Sequence, residues 1–494
     1  MAKSKTKRKQ QSLQLIGESA AKKIKTDQTD QVTLPLTGTA TPKVLSTVVP
    51  EEDLEITVDT LRALAENPSL IKSKACKDLR TAVFDFRKAC TTGFNAAEDA
   101  NLTSRISGAL ADRGHVEARI LLAEMRIRGQ TPKLGALCRW VRDLDVISGL
   151  AEQREGRVSR TTAEAETLQV LDAILRVTGP VDYTTDDEST SGAEGPLVVR
   201  KAWDLRDDRP RNMVYDSVLD GTLPASVPAS TASRYRIIET TPGPERNPPN
   251  LHPAILHASQ DNTVVFSSPP PKTTHHRHPV VPNLHLMRDV LSPEECGQII
   301  GAAEKIGFTP DAPVRADGDD GENSILAHNF YWIADEAFCK GIWERVAPFV
   351  PASLGGRKVR GLNRRFRVYR YVPGAEYRAH IDGAWPPSGI LPDDTYQYDA
   401  SVPGAKQSSL FTFLIYLNDE FDAGETTFFL PGPREGTMHA FPVKPIQGSV
   451  ALFPHGETEG SLLHEGTGVR RGNKPTAKYV IRTDVEYDVD PGRD

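Results

Sequence analysis

Apolar positions in the first part of the chain recur at helical intervals. Those of 134–144 stand three or four residues apart, which places them on one face of a helix. A second run of this kind, 168–175, leads into Gly179-Pro180, a pair that ends helices. Residues 55–180 are therefore predicted to form a small α-helical module. Because no residues in it have a catalytic spacing, we interpret it as a packing or protein-interaction module.

From residue 284 onward the pattern changes from helical to extended. Ser292, Pro293 and Glu295 suit the N-cap, the first and the third positions of a helix, and Gly307 suits its end. Beyond this helix, alternating or wholly apolar runs predict strands at 366–371, 410–417, 450–453 and 478–482. Many short strands after one or two helices favour an α+β fold that contains a sandwich or jelly roll.

Polar and proline-rich segments separate these regions. Ten prolines stand between Pro242 and Pro282, so 181–283 is predicted to be a partly ordered linker. Residues 1–54 are predicted to be a basic, disordered tail, and 284–490 the principal domain. Apolar residues make up 38% of the chain, a low share that agrees with disordered segments.

Charge and cysteine content narrow the class of protein. The net charge of −6 argues against a wholly basic nucleic-acid-binding protein, and five cysteines without a C-x-x-C pair indicate a reducing compartment. No apolar run approaches the length of a membrane helix, and no secretory signal follows the first residues, so neither a membrane partner nor secretion is expected.

The first 25 residues carry eight basic groups and one acidic group. Two clusters, 7–9 and 22–25, have the layout of a two-part signal for a nuclear import receptor. The alternative is a solvated tail that contacts nucleic acid weakly. The expected location is the nucleus or the cytoplasm.

The tripeptide His380-Ile381-Asp382 is the first candidate for chemistry. Residues i and i+2 of a strand point to one side, so the His380 imidazole and the Asp382 carboxylate should converge. His464 is the third candidate, with His455 as its rival. Two histidines and one carboxylate on one face of an iron ion form the facial triad, which leaves positions open for a co-substrate and oxygen.

The segments around these residues occur in a characteristic order. In the chain they are RVYRYVPGAEYRAH (367–380), HIDGAW (380–385), LIYLND (414–419), VKPIQGSVALF (443–453), HEG (464–466) and KYVIRTDV (478–485). With these motifs the sequence resembles the 2-oxoglutarate/Fe(II)-dependent dioxygenases of the prolyl 4-hydroxylase alpha-subunit-like type, over about 284–490.

The resemblance implies a fold and a ligand set. The fold would be α+β, with a C-terminal double-stranded β-helix (jelly roll) and flanking helices after the helical module and disordered segments. His380, Asp382 and His464 would be the catalytic residues and would bind Fe(2+).

The resemblance also implies a cation for the far carboxylate of 2-oxoglutarate, since an unpaired buried charge is costly. The family spacing points to Lys474, but Pro475 would interrupt a strand there. Lys478 instead begins an apolar strand and is preferred, with Lys474 second. Arg482 lies on the same strand face as Lys478 and would assist.

Three tyrosines match positions where the family has rings or hydroxyls facing the co-substrate. They are Tyr371, Tyr377 and Tyr416. Phenolic hydroxyls hydrogen-bond carboxylates without adding charge. The alternative for each is a core aromatic residue whose hydroxyl has a partner.

The implied activity is hydroxylation of a substrate with conversion of 2-oxoglutarate and O2 to succinate and CO2, with L-ascorbate as reductant. A prolyl residue of a protein is the family-level expectation for the substrate, and nucleic acid would be contacted only through the basic tail. Two alternatives remain: a catalytically silent binding or sensor protein, and a jelly roll without iron in which these histidines are structural.

Overall fold

The computed structural model describes most of the chain after its basic tail. The described residues are 49–92, 102–150, 160–183, 195–208, 210–245, 253–310, 327–373, 375–456, 460–472 and 474–489. The chain divides into two compact units, Met1–Asp85 and Phe86–Asp494. The predicted import signal lies outside the described residues.

Helices form the first part of the described chain, and further helices occur between the strands that follow. In chain order they are α1 Glu51–Ala65, α2 Pro68–Ile71, α3 Lys77–Thr92, α4 Leu102–Ala111, α5 His115–Ile127, α6 Leu134–Leu144, α7 Thr162–Thr178, α8 Val214–Leu219, α9 Thr222–Ser226, α10 Pro293–Ile306 and α11 Glu336–Val346. Among the helices described, none has both the length and the apolar content needed to cross a membrane.

The first unit has little core. Where the structure describes the side chains of α1, α2 and the start of α3, none is buried.

Strands make up most of the second unit. They are β1 Leu197–Val199, β2 Tyr235–Thr241, β3 Ala254–Ser259, β4 Thr274–Arg277, β5 His285–Arg288, β6 His328–Ile333, β7 Ser353–Leu354, β8 Arg357–Leu362, β9 Arg365–Tyr371, β10 Tyr377–His380, β11 Gly389–Ile390, β12 Tyr396–Gln397, β13 Gln407–Tyr416, β14 Asp422–Ala423, β15 Thr426–Pro431, β16 Met438–Val443, β17 Val450–Pro454, β18 His464–Gly466, β19 Val469–Arg470 and β20 Lys478–Asp488.

Two sheets face each other in this unit. Within the described ranges the larger sheet has the order β2-β3-β6-β9-β20-β13-β17-β5-β4, with β8 and then β7 attached beside β20. The smaller sheet has the order β1-β16-β15-β18-β10. A buried cluster that includes Phe428 and Phe441 of the smaller sheet and Phe453 and Val480 of the larger one fills the space between them. Alternation along each strand sends the remaining apolar side chains to the outer faces.

Helices cover both outer faces. Cys296 and Ile300 of α10 and Phe338 of α11 pack with Phe366 and Phe413 of the larger sheet. On the other side, residues of α4 to α7 share a core with the smaller sheet through Phe429, Met438 and Ala440. The second unit is therefore a layered stack in which each sheet has one face toward its partner sheet and one toward helices.

The predicted helix starts and strands are confirmed where the pattern was local. Ser292 caps α10 with a complete capping box to Glu295, and Gly307 follows the helix with φ 105°. The predicted helices at 134–144 and 168–175 are α6 and the second half of α7. The four predicted strand runs fall in β9, β13, β17 and β20.

The proline-rich segment has a larger role than the linker predicted over 181–283. It supplies β2, β3 and β4 to the larger sheet and β1 to the smaller one. β3 pairs in parallel with β6, and β4 pairs with β5 at the opposite edge. Prolines tolerate edge positions and strand ends, so a high density of proline is compatible with short edge strands.

Candidate functional site

Two neighbouring strands of the smaller sheet carry the two histidines. β10 and β18 pair antiparallel, and His380 stands directly opposite His464 in their register. Side chains opposite each other on one sheet face lie close together, and the two imidazole centroids are 4.2 Å apart. The pairing of distant segments therefore brings these histidines together.

Asp382 completes the cluster just after the end of β10. Its carboxylate is buried, with one oxygen 3.4 Å from His380 Nε2 and the other 3.6 Å from His464 Nε2. One ligand atom from each of the three residues can be chosen so that all lie within 4.8 Å of one another. This is the arrangement that a single metal ion requires.

Backbone contacts orient both imidazoles. His380 Nδ1 is 2.7 Å from the Arg378 carbonyl oxygen, and His464 Nδ1 is 3.1 Å from the Leu462 carbonyl oxygen. Donation from each Nδ1–H leaves the Nε2 lone pair of each ring facing Asp382, as metal-binding histidines need. Burial lowers the pKa of His464 to about 3, so this imidazole is neutral near pH 7 and free to bind a metal.

Arg482 and Thr412 hold the Asp382 carboxylate. The Arg482 guanidinium lies 2.8 Å from Oδ1, and the Thr412 hydroxyl donates to Oδ2 over 2.7 Å. Burial alone would raise the pKa of Asp382, but Arg482 and the two imidazoles hold it well below its usual range. The carboxylate is therefore ionised, as a metal ligand must be.

His455, the rival ligand, lies behind this carboxylate. Its Nδ1 is 2.7 Å from the Thr412 hydroxyl oxygen, and its Nε2 is 2.8 Å from the Ser409 hydroxyl. Burial lowers the pKa of His455, and a neutral ring with one donor and one acceptor fits a chain from Ser409 through His455 and Thr412 to Asp382. His455 is thus a support for Asp382.

A cavity extends from the three residues toward Lys478. It is lined from both sheets, by side chains that include Tyr369, Tyr371, Tyr377 and Thr426. Lys478 is 2% exposed, its Nζ donates to the Gly424 carbonyl over 3.0 Å, and it lies 4.3 Å from the centre of the Tyr371 ring. Burial lowers the pKa of Lys478 to about 8. The cavity thus has a metal-ligand cluster at one end and a buried amine at the other.

The structure places some of the remaining candidates for co-substrate contact in the cavity lining and others outside it. Tyr377 lines the cavity 4.3 Å from the His380 ring, and Tyr371 lies against Lys478. Two candidates are corrected. Lys474 is exposed and does not line the cavity, because its strand begins only at Lys478. Tyr416 is buried outside the cavity lining, where its hydroxyl donates to Thr426 over 2.9 Å.

Sequence reasoning missed several residues that line the cavity, among them Tyr369 and Thr412. Tyr369 follows from the alternation of β9, since it shares a face with Tyr371. Thr412 has no such signal: it lies within a long buried run, and only the fold shows that its hydroxyl reaches Asp382.

The connection between α6 and α7 supports both ligand-bearing strands from outside. The Val146 carbonyl accepts from the Ala379 backbone N–H over 3.2 Å, next to His380. The Ser148 backbone N–H donates to Glu465 over 3.2 Å, next to His464, and the Ser148 hydroxyl contacts the same carboxyl group. Burial raises the pKa of Glu465 to about 8. The connection between α6 and α7 therefore supports the site from outside.

We expect Ser148→Ala to destabilise the protein, because it removes a hydroxyl partner from a fully buried carboxyl group. The loss should be about 1–3 kcal/mol in the free energy of unfolding, measured by urea denaturation. Ser233→Ala removes an exposed hydroxyl of the same unit and should change the free energy by less than about 0.5 kcal/mol. Equal effects of the two substitutions would contradict a supporting role for Ser148.

The chain has partial similarity to known proteins. No family model matches the chain. The chain is 27% identical over 223 residues to Prolyl 4-hydroxylase 1 of Arabidopsis thaliana, a match that covers 41% of this chain and 69% of that protein.

Solved structures with some likeness were also found. One is the viral collagen prolyl hydroxylase of Paramecium Bursaria Chlorella virus-1 in complex with 2OG, with 20% identity, a TM-score of 0.26, and coverage of 41% of this chain and 96% of that one. Another is an oxidoreductase of the 2OG-Fe(II) oxygenase family from Burkholderia pseudomallei, with 14% identity, a TM-score of 0.25, and coverage of 41% and 84%.

The sequence likeness to the plant enzyme spans about two fifths of the chain. The site built from residues 380, 382 and 464 has the donor set of a non-haem iron oxygenase. Together they support a 2-oxoglutarate-dependent dioxygenase of a prolyl 4-hydroxylase-like type.

Proposed function

We propose that the chain hydroxylates a prolyl residue of a protein substrate and releases succinate and CO2 from 2-oxoglutarate. The observation that carries the proposal is the cluster of His380, Asp382 and His464 with Lys478 at the other end of the same cavity. The plant relative, whose name is that of a prolyl 4-hydroxylase, supports the substrate class. The alternative of a silent binding protein is not favoured, because the ligands and the buried amine are all in place.

His380, Asp382 and His464 would hold Fe(2+) in this proposal. The donor set fits the ion, since it offers two imidazole nitrogens that face a carboxylate held ionised by Arg482. Bound iron, with 2-oxoglutarate and O2, would supply the oxidising chemistry that inserts one oxygen atom into a C–H bond of the substrate. The protein's own part is to keep both imidazoles oriented and the carboxylate fixed.

Lys478 would bind the far carboxylate of 2-oxoglutarate. Its amine lies beside the Tyr371 ring, in a cavity that Tyr369 and Tyr377 also line and that leaves little room for water. A carboxylate would pair directly with an amine that donates to a backbone carbonyl, lies over the Tyr371 ring and has Glu425 as a charged neighbour. Arg482 lines the cavity too, but its guanidinium is already paired with Asp382 and Asp484, so we assign it to the metal end.

The proposed function also implies a fold, a division into domains and a reductant. We assign the two facing sheets to a double-stranded β-helix that includes 284–490 and the strands contributed by 181–283. We assign 55–180 to a helical module. L-ascorbate is the proposed reductant.

The basic tail supports a nuclear location through an import receptor, and a fluorescent fusion that stays in the cytoplasm would contradict it.

The test of the activity uses the full chain with Fe(II), 2-oxoglutarate, ascorbate and a library of tryptic peptides from a nuclear extract. We expect oxygen-dependent succinate formation and a mass gain of one oxygen atom at prolyl residues, located by tandem mass spectrometry. Omission of 2-oxoglutarate should abolish both. Oxygen incorporation at another residue type would overturn the prolyl assignment, and an absence of succinate with every peptide pool would count against the activity itself.

A further inference from the structure

A row of cations continues from the cavity along one face of β9. Alternation places Arg365, Arg367, Tyr369 and Tyr371 on the same face of this strand. Tyr371 stands opposite Lys478 on β20, and Arg367 stands opposite Arg482. The face therefore runs from the buried lysine, past the tyrosines, to a pair of arginines at the metal end.

The two opposed arginines differ in their partners. Arg482 is paired with Asp382 and Asp484. In the part of the chain that the structure describes, no carboxylate forms an ion pair with Arg365 or Arg367. Like charges directly opposite each other on neighbouring strands repel, so this face carries an excess of positive charge that an anion would offset.

Trp385, three residues after Asp382, joins this group. The guanidinium carbons of Arg365 and Arg367 lie 4.9 Å and 4.8 Å from the centre of its indole ring. These contacts hold both arginines beside the loop that leaves the metal site. We call Arg365, Arg367, Trp385 and Arg482 the arginine cluster.

The arginine cluster is rich in donors and poor in acceptors. Three buried N–H groups, at Trp385 Nε1, Arg365 Nε and Arg482 Nε, have no acceptor among the described residues. A buried donor without an acceptor is unfavourable, and such groups in native proteins call for an explanation. A ligand with several acceptor oxygens would satisfy the donors and the charge together.

The co-substrate does not fit this place. Lys478 and Arg482 are four residues apart on β20, roughly 13 Å along a strand. That span is longer than a five-carbon diacid, and Arg482 already lies at Asp382. With 2-oxoglutarate between Lys478 and the metal ligands, the cluster is left for the other substrate.

We propose that the arginine cluster binds a carboxylate of the peptide substrate, so that the enzyme selects prolyl residues flanked by Asp or Glu. The inference rests on the proposed function and adds the sequence context of the target. Arg367 is the residue that determines this specificity, because it has a guanidinium beside the metal end and no carboxylate partner in the described structure. Arginine suits the task, since its planar fork of donors matches a carboxylate.

The test compares wild type, Arg367→Gln and Arg360→Gln on the tryptic peptide library. Arg360 carries the same charge on neighbouring β8, where it pairs with Asp488 on the surface, and serves as the matched control. We expect wild type and Arg360→Gln to modify prolyl peptides with an acidic residue within two positions roughly 10-fold more efficiently than their Asn or Gln counterparts. Arg367→Gln should lose this preference.

Two further readouts separate specificity from a general defect. The KM for 2-oxoglutarate should be the same in Arg367→Gln as in wild type, and kcat/KM should fall more on acidic peptides than on peptides without flanking acids. A large rise in the KM for 2-oxoglutarate would assign the cluster to the co-substrate and overturn the inference. Prolyl hydroxylation by wild type with no acidic preference would also overturn it while leaving the proposed function intact, whereas no prolyl hydroxylation at all would remove both.

Discussion

His380→Ala should abolish oxygen-dependent succinate formation while leaving the fold intact. The imidazole supplies one of the three proposed metal ligands, and its side chain is one quarter exposed, so its loss leaves no large buried cavity. Partners one step behind a metal ligand contribute about 10- to 100-fold in affinity or activity, so loss of a ligand itself should exceed that range. Succinate would be measured by mass spectrometry, and Co(II) binding to the metal-free protein by absorbance.

A graded series makes this result specific. Thr412→Val removes the hydroxyl that donates to Asp382 and should weaken Co(II) binding by about 10- to 100-fold. His276→Ala removes a histidine of edge strand β4, which does not line the cavity, and should change neither readout. Circular dichroism would verify that His380→Ala is folded. Undiminished succinate formation by this folded variant would overturn the assignment of the metal site.

Local patterns predicted the elements whose cause is local. The capping box of α10 needs only Ser292 and Glu295 three positions apart. The strands β9, β13, β17 and β20 follow from alternating or continuous apolar runs. The three candidate metal ligands could also be identified from the sequence, because it shows the short spacing of His380 and Asp382 and the motif around His464.

Side-chain contacts that depend on the register between distant strands could not be predicted from local sequence patterns. The opposition of Lys478 to Tyr371 and of Arg482 to Arg367 arises from the pairing of β20 with β9. Pro475 is a local signal that favoured Lys478 over Lys474, and of the two only Lys478 lines the cavity. Tyr416 illustrates the limit, since it shares the buried run of β13 and only the fold shows that its hydroxyl contacts Thr426.

The strands within the segment that was predicted to be a partly ordered linker could not be foreseen for a related reason. Composition reports the average tendency of a segment, whereas a short strand needs only a few residues and a free edge on which to pair. β3 finds such an edge beside β6, and β4 finds one beside β5. The same reasoning applies to the connection between α6 and α7. No pattern in its own sequence predicts its contacts with Ala379 and Glu465.

Lys478→Met should raise the KM for 2-oxoglutarate about 10- to 100-fold, since a hydrogen bond to a charged group contributes about 1.5–3 kcal/mol. Methionine fills a similar volume without charge, so the cavity wall should be preserved. The succinate rate at saturating 2-oxoglutarate should change less, because the lysine is not one of the proposed metal ligands. The matched control is Lys474→Met, which removes the exposed lysine and should leave the KM unchanged.

The pH dependence gives an independent measure of the same amine. Burial lowers the pKa of Lys478 to about 8, so the charged form that would pair with a carboxylate is present below this pH and is lost above it. For wild type, kcat/KM for 2-oxoglutarate should therefore fall about 10-fold per pH unit above pH 8. Lys478→Arg keeps its charge throughout this range and should flatten the decline, even where the larger guanidinium raises the KM. An equally steep decline in Lys478→Arg would mean that another group titrates and that Lys478 is not the anchor of the co-substrate.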